Sequence, residues 1–100
     1  MEVKPITLFV HEAIYNPILS SVPKSELNNF YAKALWNVFF KRPFGEVIKN
    51  PFDYSSGVPV RFIPDLPTYL KWVRLPKAIT PYVIEAFDSE VFGLLANYEW

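Results

Sequence analysis

The sequence predicts a small α+β fold in which a mainly antiparallel sheet packs against about three helices. Residues 5–10 and 58–63 alternate apolar and other residues with period two, whereas three further stretches carry apolar stripes at helical spacing. The 100 residues are 51% hydrophobic and 20% charged, a balance that makes a chain collapse rather than stay disordered. A chain of this length encloses a single core, so residues 1–100 are expected to form one globular domain.

In the first strand, Ile6, Leu8 and Val10 alternate with Thr7 and Phe9 after Pro5. From His11 to Ser20, Ile14, Tyr15, Ile18 and Leu19 keep helical spacing, but Asn16-Pro17 interrupts them, and a broken turn or short helix is expected. Ser21 as a cap, with Pro23 in the first turn, opens a long helix over about residues 22–42. Its Leu27, Phe30, Tyr31, Ala34, Leu35 and Val38 fall within an arc of about 140°. Lys41 and Arg42 suit the negative end of that helix, and Pro43-Phe44-Gly45 stops it.

Glu46 to Lys49 reads as a short strand, followed by loop chemistry at Asn50-Pro51 and Ser55-Ser56-Gly57. Val58, Val60 and Phe62 then alternate with Pro59, Arg61 and Ile63, and Pro59 confines this strand to an edge or an end. Asp65 caps a short helix over about 65–75, whose Leu66, Tyr69, Leu70 and Val73 span about 100° before Pro76 ends it. Pro64-Asp65-Leu66-Pro67 has Pro-x-x-Pro spacing, but the same residues make a good helix start. Thr80-Pro81 opens a C-terminal helix over about 81–98, with Val83, Ile84, Phe87, Val91, Leu94, Leu95 and Tyr98 within about 120°. A strand over Tyr82–Phe87, with a helix restarting at Asp88, is the competing reading.

The chemical inventory is thin. Zero cysteines exclude disulfides, thiolate catalysis and every cysteine-based metal site. The longest stretch free of charged residues and His, Ala13 to Pro23, contains Asn, Ser and Pro, so no membrane span is expected. The first residues lack a secretory pattern, which makes an intracellular location the expectation. The single His, His11, stands beside Glu12, and a general base needs a second reactive group converging on it. No Ser lies in a Gly-x-Ser-x-Gly elbow. His11 therefore reads as a strand-end residue, solvated or bonded locally, and no catalytic residues are expected. Glu85, Asp88 and Glu90 could suit a hard cation, but no Asp-x-Asp-x-Asp-Gly loop organises them. Glu85 and Asp88 at i, i+3 read as a solvated helix face, and neither metal nor cofactor is expected. Gly45, Gly57 and Gly93 are isolated, which excludes the common phosphate-binding loops.

The formal net charge is zero but unevenly placed. Lys41 to Lys77 holds seven basic residues against three acidic ones, while Glu85 to Trp100 holds four acids and no base. Lys71, Trp72, Arg74 and Lys77 could attract a nucleic-acid backbone and stack a base, although none of the helix-turn-helix, RRM or zinc-finger signatures occurs. Eighteen aromatic residues form the other unusual quantity. On the long helix, Ala32, Trp36, Phe39 and Phe40 lie between about 120° and 220°, away from the main stripe. A helix apolar on two sides is either central in its own fold or covered by another chain. The expectation is thus a non-catalytic interaction protein that forms a homodimer or engages another protein through these four residues. A nucleic-acid binder using segment 41–77 is the alternative, and a small hydrolase centred on His11 comes third.

Overall fold

The computed structural model describes residues 2–42 and 50–98. The short strand expected at Glu46–Lys49 and the Pro43-Phe44-Gly45 stop lie outside the described residues. Strand β1 (Ile6–His11) leads directly into helix α1 (Glu12–Ser21). A 3-10 turn at Lys24–Glu26 then opens α2 (Leu27–Phe40), and a second at Tyr54–Ser56 precedes β2 (Gly57–Phe62). Helix α3 (Leu66–Val73), a third 3-10 turn (Lys77–Ile79) and α4 (Thr80–Ala96) complete the described order. This is the small α+β fold that the periodicity predicts, with four α-helices among the described residues rather than about three.

The strands form an antiparallel pair running from Ile6 opposite Phe62 to His11 opposite Gly57. Successive strand side chains point to opposite faces. Ile6, Leu8 and Val10 on β1, with Val60 and Phe62 on β2, accordingly enter the core. Helices α2 and α4 pack on each other and close that face with Tyr31, Ala34, Leu35, Val83, Phe87 and Val91. Phe62 and Phe87 stack with ring centroids 5.6 Å apart, and Tyr31 touches both rings. Burial pushes the Tyr31 phenol up to about 12, so it stays neutral.

Three local expectations need correction. Helix α1 runs continuously through Pro17. The amide bond that Pro17 cannot make would reach Ala13, in the first turn, and both residues are exposed, so water can satisfy the freed carbonyl. Buried Ile18 anchors the helix on its other side. Ser21 ends α1 instead of capping α2, which starts at Leu27 through a 3-10 turn. Thr80 likewise is the first residue of α4, not its cap; its hydroxyl donates to the Pro76 carbonyl at 3.4 Å. The C-terminal helix forms as expected, over Thr80–Ala96; residues 82–87 belong to it, and the competing strand does not form. Asp65, by contrast, caps α3 as expected, accepting the Thr68 amide at 2.9 Å. No described helix is long and apolar enough to cross a membrane.

Candidate functional site

The outer face of α2 carries two of the four apolar residues that the sequence singles out, Trp36 and Phe40. Trp36 and Phe40, one helical turn apart, are 37% and 40% exposed, and their rings lie 5.4 Å apart. The Lys71 ammonium, from α3, sits 4.8 Å over the Phe40 ring. Beside Trp36 runs a groove of about 440 Å³. Ala32 and Lys33 line its α2 side, and Ile63, Pro64 and Asp65 line the side formed by the β2–α3 turn.

A side-chain clamp positions that turn. Asn28 Oδ1 accepts the Ile63 amide at 2.7 Å, and Asn28 Nδ2 donates to the Ile63 carbonyl at 3.0 Å. The amide side chain thus continues the hydrogen bonding of the strand beyond its last residue, with α2 as its base. The clamp leaves Ile63 exposed at the rim of the groove.

Of the four residues expected on this surface, Phe39 is misplaced by the sequence reading. It is 5% exposed and belongs to the core. Its projected angle, about 120°, lies only about 40° from Leu35, so it borders the main stripe rather than opposing it. Ala32 is half-buried, and Trp36 and Phe40 stand outward. The residues of the nucleic-acid alternative divide. Trp72 packs partly buried against the core, Lys71 lies over Phe40, and Arg74 and Lys77 are exposed beyond the end of α3.

A second constellation forms at the other end of β1. His11 does not act with its neighbour Glu12. Its imidazole Nδ1 lies 2.7 Å from Asp88 Oδ2, and its backbone amide donates to Asp88 Oδ1 at 2.8 Å. Asp88, expected on a solvated face, is 7% exposed. Glu85, one turn earlier on α4, brings its carboxylate to the same place, so that one donor atom from each of His11, Glu85 and Asp88 lies within 4.8 Å of the others. Phe52 flanks the imidazole with a centroid distance of 4.9 Å.

The electrostatics follow from this geometry. The hydrogen bond to Asp88 raises the His11 pKa above its usual 6.5, with the charges of Asp88, Glu85 and Asp53 acting in the same direction against burial. Burial, then the charge of Asp88, raises the Glu85 carboxyl. Asp53 is held low by its bonds from the Ser55 hydroxyl and amide. The Ser55 hydroxyl is thereby engaged with Asp53 at 2.6 Å. Among the described residues, the imidazole's one polar partner is Asp88. Glu90 forms an ion pair with Arg42 at 3.0 Å, tying α4 to the end of α2.

Sequence reasoning missed the pairing of His11 with Asp88 because 77 residues separate them. The one available signal was local: Asp88 lies next to Phe87, the centre of the α4 apolar stripe, on a helix expected to cover the sheet. No known protein family, curated protein or solved structure matches the chain.

Proposed function

We propose that this chain is a non-catalytic interaction protein that associates with a second copy of itself through the outer face of α2. One observation carries the reading: Trp36 and Phe40 stand exposed side by side, and Trp36 lines a groove whose walls present Ala32 and Ile63. Aromatic anchors beside a pocket are the groups that supply most of the energy of protein interfaces. Two further features favour a second copy as the occupant. Lys33 and Asp65 flank the groove from opposite walls, so a two-fold arrangement lets Lys33 of each copy meet Asp65 of the other. The zero net charge also imposes no overall repulsion between copies.

The test is Trp36→Ser combined with Phe40→Ser, read by light scattering coupled to gel filtration and by circular dichroism. A dimeric wild type and a folded monomeric variant are expected. A wild type that stays monomeric at high concentration, or a variant that loses its fold, overturns the reading.

A further inference from the structure

The His11, Glu85 and Asp88 cluster lies outside the α2 face, and its chemistry is separate from self-association. From its geometry we propose that these three side chains bind one divalent first-row transition ion, with Zn²⁺ as the representative probe.

Three features carry this. The donors come from two elements that the fold itself brings together, the last residue of β1 and two positions one turn apart on α4, within 4.8 Å. The site holds two carboxylates against a single imidazole, and among the described residues no Lys or Arg pairs with Glu85 or Asp88. Among the described residues, the negative excess is met only by whatever charge His11 carries. Thirdly, Asp88 is already oriented as a ligand: one oxygen is fixed by the His11 amide at 2.8 Å, and the other faces Nδ1 at 2.7 Å. Hydrogen bonds that hold a ligating carboxylate in place are a regular part of metal sites.

The Nδ1 and Oδ2 lone pairs converge on the proton they share, and an ion takes its place, releasing that proton to solvent. Zinc bonds of about 2.0–2.2 Å set tetrahedral donors about 3.3 Å apart, so the His11–Asp88 contact opens by about 0.6 Å while Glu85 closes in. Side-chain rotation accommodates this, because the His11 side chain is 36% exposed. Imidazole nitrogen beside carboxylates suits ions of borderline softness, whereas Mg²⁺ and Ca²⁺ favour all-oxygen sites. Three protein donors are one short of a closed structural site, and water completes the tetrahedron.

The experiment is calorimetric titration of the full chain, freed of metal by chelation and dialysis, with ZnCl₂, together with the visible absorption of the Co²⁺ form. One saturable site per chain is expected, with affinity lowered by about tenfold or more in Glu85→Gln and in His11→Gln. Glu12→Gln, beside His11 but outside the cluster, is expected to bind like wild type. Circular dichroism establishes that each variant is folded. Glu85 makes no hydrogen bond among the described residues, so Glu85→Gln serves even if the His11 variant unfolds. Absence of saturable binding by the wild type, or undiminished binding in folded Glu85→Gln, overturns the proposal.

Discussion

Asp88 closes the end of β1 by binding His11 twice, accepting its backbone amide at 2.8 Å and facing its imidazole at 2.7 Å. A strand end normally hands its last amide to water or to a turn. Here the carboxylate of α4 takes it, and the sheet is fastened to the helix that covers it. Asp88→Ala removes both bonds and leaves a part-buried amide without its partner, which is expected to cost about 1–3 kcal/mol. Urea denaturation of the two forms checks this; equal stability would mean that the contact is incidental to the fold.

The same pair sets a pH dependence. The folded-state pKa of His11 is raised, chiefly by its hydrogen bond to Asp88. The folded form therefore binds the proton more tightly than the unfolded chain does. This contribution is fully present below the unfolded value of 6.5 and is lost as pH rises through the higher folded value. With chelator present, the wild type is expected to lose stability relative to His11→Gln as pH rises from about 6 upward, and NMR titration of the imidazole reports the raised pKa directly.

Glu85 carries the opposite sign. Burial, then Asp88, raises its carboxyl above 4.5, so the charged form is held less well in the folded state than in the unfolded one. That penalty is absent below 4.5 and develops as pH rises through the folded value. Glu85→Gln is expected to stabilise the metal-free chain at neutral pH by a small amount, within about 1 kcal/mol, and not at all in acid. Thermal melts at both pH values in chelator decide the matter. A residue that weakens the fold while present, yet is needed for Zn²⁺ binding, would be held for its chemistry rather than its packing.

Gly57 stands opposite His11 in the ladder, and a Cβ built on it would lie 2.7 Å from Phe52 Cε1. Its φ of −94° is open to any residue, so space and not backbone conformation selects glycine. Phe52 is buried and also flanks the His11 ring, so it cannot swing aside freely. Gly57→Ala is expected to cost about 1–3 kcal/mol through overpacking and to disturb the His11 environment. Chemical shifts of the imidazole protons alongside a denaturation curve report both effects.

What the sequence revealed tracks what local periodicity can encode. The β1 and β2 alternation, the Asp65 cap and the apolar stripe of α4 are properties of single segments, and each is found in the structure. Pro17 misled because a proline's effect depends on where the freed carbonyl points, and Ala13 lies in a first turn open to water. The His11–Asp88 pair was invisible because the two residues meet only after α4 docks on the sheet. The polar side of α4 read as solvated for the same reason: Asp88 lies at the edge of the apolar arc, and the end of β1 covers it.

Phe39 and Phe40 provide the sharpest test of the α2 assignment, being adjacent and chemically identical. Phe39 is 5% exposed in the core, whereas Phe40 is 40% exposed beneath the Lys71 ammonium. Phe39→Ala removes a buried ring and leaves a cavity, at a cost of about 3–5 kcal/mol, a large share of the about 5–15 kcal/mol that holds most domains folded. Phe40→Ala loses a half-wet contact and a cation–π interaction worth about 0.5–1 kcal/mol at exposed sites, and leaves the monomer folded. Its effect belongs to association, where loss of an aromatic anchor is expected to weaken the dimer by about 1–2 kcal/mol, roughly tenfold in dissociation constant. Urea melts at low protein concentration, paired with sedimentation equilibrium at high concentration, separate the two quantities. If Phe40→Ala unfolds the chain as readily as Phe39→Ala, both rings belong to one interior and the α2 face is not a docking surface. If it leaves stability intact and shifts only the dimer equilibrium, the apolar residues at about 180–220° on this helix serve a second chain while those at 120° and below serve their own.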